Sequence, residues 1–215
     1  MKILAINGSP RKNGNTATLL NKSLEGSTSN GAEIELINLY DLQYRGCISC
    51  FSCKRIGGKS YGKCAVNDDL TPVLKKIETA DAIILGSPIN FGKETGLMSS
   101  CLERLLFQYL VYDSEYSSLF GRKIQTGFIY TMGLNEKQAK IKGYHTLINS
   151  NEFFLAKMLG SSETLIAFDT YQFDDYSKYF CPVFSEVHKA KVKATQFPLD
   201  CEKAFDMGVR FANAK

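Results

Sequence analysis

The stretch KILAINGSPRKNGNT, residues 2–16, joins a short apolar run to a loop rich in glycine, asparagine and hydroxyl side chains. The run at 3–6 is too short for a signal peptide, and two small polar-loop residues end it, so it predicts a buried β-strand. Apolar residues at helical spacing then predict a helix over 13–25. The stretch therefore predicts the first strand–loop–helix unit of an α/β domain.

Strand and helix signals alternate along the rest of the chain. Further strands are predicted at 33–39, 81–88, 123–132 and 163–171, and helices at 94–109, 138–159 and 200–212. Another helix is predicted to begin with Thr71 as N-cap and Pro72 in its first turn, and Pro198 is predicted to introduce the last helix. Alternation of this kind favours a flavodoxin-like doubly wound, five-stranded parallel sheet of order 2-1-3-4-5 with helices on both faces.

The composition is that of one compact domain spanning 1–215. The chain has 215 residues, 44% of them hydrophobic, and a formal net charge of +4. This charge falls well short of a nucleic-acid-binding arm, and no apolar run approaches membrane-spanning length, so we expect a cytoplasmic protein with no nucleic-acid or membrane partner. A cysteine-rich loop at about 45–67 and an irregular excursion at about 172–197 are predicted to interrupt the α/β pattern.

The loop after the first predicted strand has the chemistry of an anion site. Helix N-terminal N–H groups and the helix dipole favour an anion, while Ser9, Asn15 and Thr16 can donate hydrogen bonds and Arg11 adds charge. The spacing fits neither a P-loop nor a dinucleotide fingerprint. A terminal phosphate such as that of FMN fits better, and Asn13 lies in the same loop. The alternative is an ordinary βα turn built for geometry.

A second glycine-bounded loop, GSPINFG at 86–92, ends the third predicted strand. In a doubly wound sheet, strands one and three flank the topological switch point, so both loops border one crevice. Pro88 stiffens the turn, Phe91 can lie against a flat ring, and Asn90 can address its polar edge. Either loop alone could be a tight turn, but together they favour a cofactor site.

GSPRKNGNT followed by GSPINFG resembles the NADPH-dependent FMN reductase-like, or flavodoxin-like NAD(P)H oxidoreductase, family over most of 1–135. The resemblance implies FMN binding, NADPH or NADH as electron donor, and a homodimer or homotetramer. It also implies that YTMG, at 130–133, forms a third flavin-side loop. The residues it implies as FMN contacts are Ser9, Arg11, Asn13, Asn15, Thr16, Ser87, Pro88, Ile89, Asn90, Phe91, Gly92 and Thr131. No separate catalytic side chain is expected, because the flavin supplies the redox chemistry.

The predicted insertion contains CISCFSCKRIGGKSYGKC, residues 47–64, with four of the seven cysteines. Three cysteines at every third position can offer thiolates to a [4Fe–4S] cluster, with a fourth from elsewhere. Zinc on four thiolates, a reversible disulfide and reduced buried thiols are the alternatives. The disulfide would join Cys50 and Cys53. The candidate cluster ligands are Cys47, Cys50, Cys53 and Cys64.

This loop also resembles that of the iron–sulfur flavoprotein branch of the same family, in which the last cysteine gap is shorter. Two functions follow as expectations. One is an FMN-dependent oxidoreductase that passes electrons from NAD(P)H to a small acceptor such as a flavin or a quinone. The alternative is an electron carrier that uses FMN and a [4Fe–4S] cluster to relay electrons between redox proteins, with basic residues around the cysteines steering acidic partners.

Overall fold

A computed structural model describes residues 1–214. Five strands form one sheet in which every neighbouring pair is parallel, in the order β2-β1-β3-β4-β5. This confirms the predicted flavodoxin-like architecture and strand order. The strands are β1 (Lys2–Asn7), β2 (Glu33–Asn38), β3 (Ala82–Pro88), β4 (Ile124–Thr131) and β5 (Gly160–Ala167).

Helices connect the strands and cover both faces of the sheet. They are α1 (Asn15–Ser29), α2 (Leu70–Thr79), α3 (Gly96–Tyr109), α4 (Glu136–Ile141), α5 (Tyr144–Leu159) and α6 (Glu186–Ala212). Short 3-10 turns occur at Leu39–Asp41, Ser52–Lys54 and Tyr176–Lys178. In the described part of the chain, no helix has both the length and the apolar character needed to cross a bilayer.

The apolar run in β1 is explained by burial on two faces. Side chains alternate across a strand, so Leu4 and Ile6 enter one core while Ile3 and Ala5 enter the other. The first core packs under α2, α3 and α5, and the second lies under α1 and α6. A strand that is buried on both faces has a continuously apolar sequence, and this apolar run is what predicted β1.

Helices α1 and α6 pack so closely that two glycines are required. A Cβ added at Gly208 would lie 1.8 Å from the Ser23 carbonyl oxygen, and one at Gly26 would lie 2.0 Å from the Phe205 carbonyl oxygen. The Ser27 hydroxyl also donates a 3.2 Å hydrogen bond to the Gly208 carbonyl. This contact fixes α1 on the sheet and therefore also the loop that leads into it.

The last helix differs from its prediction. Helix α6 begins at Glu186, where the Ser185 hydroxyl accepts from the His188 N–H at 3.3 Å, and it continues through Pro198. Proline was therefore wrong as the start signal. Burial of the C-terminal half, including Met207 and Phe211, stabilises a helix that tolerates one missing hydrogen bond. The segment predicted as irregular over 172–197 is thus helical from 186 onward.

Two other helix predictions were imprecise. Helix α2 begins one residue before Thr71, whose hydroxyl donates to the Val66 carbonyl at 2.9 Å, so Thr71 is not the N-cap. The single helix predicted over 138–159 is two helices, because Gly143 adopts φ 72° between them.

Candidate functional site

The loops after β1 and β3 meet at the carboxyl edge of the sheet. The Gly8 N–H donates to the Gly86 carbonyl at 2.7 Å, and the Thr95 hydroxyl donates to the Gly8 carbonyl at 2.7 Å. A Cβ at Gly8 would lie 2.9 Å from Met98 Cβ and Cε, so only glycine fits between the strand end and α3. This close approach sets the crevice at the switch point between β1 and β3.

The N-terminus of α1 presents backbone donors at this edge. Gly14 precedes the helix with extended backbone, and Thr18 N–H to Gly14 O is the first helical hydrogen bond. The N–H groups of Asn15, Thr16 and Ala17 precede that bond, and within residues 1–214 no side chain caps this helix end. Three backbone donors and the helix dipole therefore favour an anion here.

The polar side chains of the first loop are engaged within the protein. The Arg11 guanidinium donates to the Gln172 carbonyl at 2.6 Å, and the Asn15 amide donates to the Tyr171 carbonyl at 2.8 Å. The Ser9 hydroxyl accepts from the Arg11 N–H at 3.1 Å. Arg11 and Asn15 thus tie the loop to the segment after β5, and Asn13 is exposed beside them.

Thr131, at the end of β4, links the first and second loops. Its hydroxyl lies 2.8 Å from the Thr16 hydroxyl, and its carbonyl accepts from the Ile89 N–H at 2.9 Å. Both threonines are buried. Since the two hydroxyls satisfy one another, their role is to hold the loops together at the edge of the crevice.

The second loop contains a tight turn that exposes an aromatic ring. The N–H groups and carbonyls of Asn90 and Lys93 bond to one another at 2.8 and 3.2 Å, with Phe91 at φ 51° and Gly92 at φ 84° between them. Left-handed backbone is uncommon for a bulky residue, and the Phe91 side chain is fully exposed. Strained geometry thus directs a flat apolar ring into solvent beside the crevice.

The base of this turn is rigid. The Ser87 hydroxyl accepts from the Thr95 N–H at 3.0 Å and donates to the Pro88 carbonyl at 2.9 Å. Thr95 also caps α3 by accepting from the Met98 N–H at 3.3 Å. Ser87 therefore supports the turn from beneath.

A partly buried cluster of Lys189, Asp169 and His188 supports the third loop, after β4, and the sequence alone did not indicate it. The Lys189 ammonium donates to the Gly133 carbonyl and to Asp169, and His188 Nε2 lies 2.5 Å from Asp169. Burial opposes ionisation of Asp169, but the Lys189 and His188 hydrogen bonds outweigh it and lower the pKa of this carboxyl. A buried lysine has no pattern in sequence that separates it from a surface one.

The four cysteines of the insertion line one small, partly open pocket with a cavity volume of about 20 Å³. Cys53 is buried, Cys50 is exposed, and Cys47 and Cys64 are intermediate. The other walls come from the cysteine loop itself and from α3, through Arg104, Phe107 and Gln108. The structure thus brings together all four residues that the spacing selected.

The geometry bears differently on the four alternatives for the cysteines. All seven cysteines are free thiols, so Cys50 and Cys53 form no disulfide here. Within residues 1–214, no three Cys, His, Asp or Glu side chains converge closely enough to hold one metal ion, as zinc would require. A [4Fe–4S] cluster is a larger group whose cysteines bind separate irons, so four free thiols around one pocket are compatible with such a cluster and equally with reduced cysteines that bind nothing.

Cys50 stands on strained backbone. Ser49 and Phe51 on either side of it have φ 52° and 56°, and Cys50 itself is exposed. Hydrogen bonds from Ser52 lower the pKa of the Cys50 thiol, whereas burial raises the pKa of the Cys53 thiol. The loop therefore holds thiols in different environments around one cavity.

Side chains near the C-terminal end of α3 anchor the cysteine loop. The Lys54 ammonium donates to the Phe107 and Leu110 carbonyls and lies 4.6 Å from the Phe107 ring centroid. The Gln108 side chain accepts from the Cys64 N–H at 2.9 Å. A loop almost without regular structure is thus held by α3, the helix that begins just after the second loop.

Arg104 is the most buried charged side chain in this region. Its guanidinium donates to both Asp68 carboxylate oxygens at 2.8 and 2.6 Å and, through Nε, to Cys64 Sγ at 3.3 Å. The sequence does carry a signal for this residue, since Arg104 lies between Cys101 and Leu105 on an apolar helix face. A charge on such a face must be paired inside the fold.

Part of this sequence matches a known protein family and several curated proteins. The model of the NADPH-dependent FMN reductase family matches residues 1–136. Iron–sulfur flavoproteins of Methanocaldococcus jannaschii and Archaeoglobus fulgidus are each 40% identical over 104 residues, 48% of this chain and 51% and 48% of theirs. The chain spans about half the length of the curated relatives it matches.

Solved structures share the fold at low identity. An NAD(P)H:quinone oxidoreductase from Methanothermobacter marburgensis has a TM-score of 0.73 and 14% identity over 100% of this chain and 98% of that one. An FMN-dependent NADH-azoreductase from Bacillus anthracis in complex with FMN has a TM-score of 0.66 and 15% identity over 99% of this chain and 100% of that one. With its family-model match over more than half the sequence, the chain belongs to the NADPH-dependent FMN reductase family.

Proposed function

We propose that this protein is an FMN-dependent oxidoreductase that takes electrons from NADPH or NADH and passes them through bound FMN to a small acceptor such as a flavin or a quinone. The observation that carries the proposal is the meeting of two elements at one sheet edge. The donor-bearing start of α1 and the exposed ring of Phe91 border the same crevice, joined through Thr131. Family membership supports the same cofactor.

The FMN phosphate fits the start of α1. Backbone N–H groups there would bind it, with Ser9 and Asn13 nearby. Arg11 and Asn15 would exchange the carbonyls of the segment after β5 for phosphate oxygens. Thr16 would contribute its backbone N–H, because its hydroxyl is already paired.

The isoalloxazine ring fits the second loop. Residues 87–92 would line it: the ring of Phe91 offers a flat surface, and Pro88, Ile89, Asn90 and Gly92 offer backbone groups and one amide. Thr131 would close the side of the crevice next to β4. FMN, when bound, supplies hydride acceptance and one- or two-electron transfer. The protein positions the ring and limits water around it.

The test is an anaerobic titration of the FMN-loaded protein with NADPH and then NADH. We expect one of them to bleach the flavin absorbance, and an added quinone to restore it. A flavin that neither nucleotide reduces would refute the oxidoreductase. Phe91→Ala should weaken FMN binding about fivefold, since an aromatic contact is worth on the order of 1 kcal/mol. Phe180→Ala, at an equally exposed ring on another segment, is the matched control.

A second function is favoured by the cysteine pocket: an electron carrier with FMN and a [4Fe–4S] cluster. The four thiols would hold the cluster, which supplies one-electron chemistry when bound. The names of the two iron–sulfur flavoproteins support this reading. Exposed cations surround the pocket and would attract an acidic redox protein. They are Arg45, Arg55, Lys59 and Lys63.

Iron and acid-labile sulfide measured after anaerobic purification test the cluster. We expect close to four of each per chain, and serine at Cys50 should abolish both. Cys201→Ser, a like substitution in α6, should leave them unchanged. Protein that holds neither iron nor sulfide after anaerobic reconstitution would refute the carrier and leave the oxidoreductase standing.

The assembly and location of the protein belong to the same proposal. Family membership and the exposed rings of Tyr112 and Tyr116 support a homodimer or homotetramer. Seven free thiols suit a reducing, cytoplasmic compartment. Light scattering coupled to size-exclusion chromatography would give the mass, and a mass of 24.0 kDa would refute the oligomer.

A further inference from the structure

Ten residues separate Cys53 from Cys64, and the structure shows how the last cysteine still reaches the pocket. The intervening residues fold into a small closed lobe. The Gly62 N–H donates to the Cys53 carbonyl at 2.9 Å, and successive short turns fill the space between them. The chain therefore leaves and re-enters the pocket at nearly one place, and the length of the gap does not set the position of Cys64.

The position of Cys64 is set from α3. The Gln108 side chain accepts from its N–H at 2.9 Å, and Arg104 Nε donates to its sulfur at 3.3 Å. The same guanidinium donates to the Arg45 carbonyl at 3.2 Å and to the Val66 carbonyl at 3.1 Å. Arg104 thus bonds to backbone two residues before Cys47 and two residues after Cys64, and so joins the two ends of the cysteine loop.

The charge of Arg104 is kept by its surroundings. Its side chain is wholly buried, and Asp68 accepts two hydrogen bonds from one of its terminal nitrogens. A buried cation held by a carboxylate has its N–H groups fixed in direction. One of them points at the sulfur of a candidate ligand. Hydrogen bonds to ligand sulfurs are among the features that set the reduction potential of iron–sulfur clusters.

We propose that Arg104 is a positioning residue for Cys64: it holds the sulfur at the pocket wall and donates a hydrogen bond to it when the thiolate binds a cluster. The proposal rests on the cluster-bearing function given above. The hydrogen bond and the nearby positive charge stabilise the more negative, reduced cluster. Loss of Arg104 should therefore lower the reduction potential of the cluster, a change that a merely structural side chain would not produce.

The experiment compares wild-type protein with Arg104→Gln and Arg104→Lys, each reconstituted anaerobically with FMN, iron and sulfide. Spectroelectrochemistry gives separate midpoint potentials for cluster and flavin. We expect both variants either to keep the cluster at a lower potential, with the flavin potential unchanged, or to bind FMN normally and lose iron. A cluster retained at the wild-type potential in both variants overturns the proposal.

Two controls separate the possible causes. Arg45→Gln removes a charge of the same type from the rim of the same loop, while the Arg45 carbonyl that Arg104 contacts remains. We expect a smaller shift from it, because it leaves the sulfur hydrogen bond intact. An equal shift would assign the effect to general electrostatics and overturn the proposal. If Arg104→Gln binds neither FMN nor iron, the test of the proposal rests on Arg104→Lys. That variant keeps the buried charge and loses the planar set of guanidinium N–H donors.

Failure of the cluster itself is distinguishable from failure of this inference. Wild-type protein without iron refutes the carrier, and hydrogen exchange on that cluster-free protein then decides the positioning role. We expect amides at 62–68 to exchange at least tenfold faster in both variants than in wild type, with amides of β1 and β3 unchanged. Equal exchange at 62–68 overturns the positioning role.

Discussion

The crevice and the cysteine pocket are built in different ways. The crevice lies where β1, β3 and β4 end, and parallel pairing fixes the distances between its loops. The pocket lies in an insertion with a single 3-10 turn, Ser52–Lys54, between its first and last cysteine. Backbone groups of regular elements make the first site, whereas a few buried polar side chains on α3 hold the second.

Because of this difference, we expect the cysteine pocket to be more sensitive to single substitutions than the crevice. At the crevice, one lost side chain leaves the ladder and the start of α1 in place. At the pocket, Arg104 bonds to both ends of the loop, and Glu103 and Gln108 of α3 each bond to one end, at Cys47 and Cys64. The sites are also connected, because Thr95 begins α3 at the crevice and Arg104 follows nine residues later, about 14 Å along the axis.

The largest expected effect breaks the pocket. Asp68→Ala should destabilise the protein by about 3–5 kcal/mol, because it leaves the Arg104 guanidinium buried without its carboxylate. Urea unfolding followed by circular dichroism measures this. Asp174→Ala, at an exposed carboxylate, should change stability by less than about 0.5 kcal/mol. A loss at Asp68 no greater than at Asp174 would mean that the pair does not hold the pocket.

The next effect breaks the scaffold of the crevice. Gly208→Ala should cost about 3 kcal/mol or more, because its Cβ would meet a backbone carbonyl of α1 that cannot rotate away. FMN affinity should fall too, since the start of α1 carries the proposed phosphate donors. Gly96→Ala is the matched control: its Cβ would meet nothing within 4 Å, so stability should hold or rise slightly. Equal effects of both changes would contradict close packing as the cause.

The sequence predicted what regular structure determines. The alternation of apolar strands and helices predicted the strand order correctly. Strands β1 and β3 are buried on both faces, so their sequences are continuously apolar and easy to identify. Helix ends were less well predicted. Pro198 is a start signal by local preference, but α6 begins at Glu186, where Ser185 caps the helix and the buried Lys189 side chain donates to the Gly133 carbonyl. A cap such as Thr71 depends on a turn whose geometry local sequence does not fix.

The prediction of site residues shows the same contrast between features that regular structure determines and contacts that it does not. Loops 7–16 and 86–92 were placed at one crevice by topology, and the sequence also picked out the four cysteines that line the pocket. The partners of Arg104 and Lys189 lie 36 and 20 residues away in sequence, so spacing could not reveal them. Sequence also gave no sign that the Thr16 hydroxyl pairs with Thr131.

A smaller effect tests whether that threonine pair holds the crevice together. Thr131→Val should cost roughly 1–3 kcal/mol, because it leaves the buried Thr16 hydroxyl without its partner. Thr16→Val should cost a similar amount. The double variant should be more stable than the sum of the two losses implies, since neither hydroxyl is then left unpaired. Additive losses in urea unfolding would show that the hydroxyls do not depend on one another.

The smallest expected effect is a pH dependence at the third loop. The folded-state pKa of Asp169 is lowered, so its ionised form stabilises the protein above the unfolded pKa of about 3.9, and this contribution is lost as pH falls through the folded value. The Asn side chain in the Asp169→Asn variant cannot ionise, so the variant lacks this stabilisation at every pH. Wild type should therefore exceed the variant most at neutral pH, and the difference should shrink below about pH 4.

The comparison needs a surface reference, because other carboxylates also titrate in this range. Asp174→Asn, at an exposed side chain, should differ little from wild type in unfolding free energy between pH 7 and pH 3. A wild-type excess over Asp169→Asn that stays constant across this range would mean that the Asp169 carboxylate does not act through its charge. In that case the hydrogen bond from Lys189 to the Gly133 carbonyl would not depend on the charge of Asp169. The sheet itself would then fix this edge of the crevice.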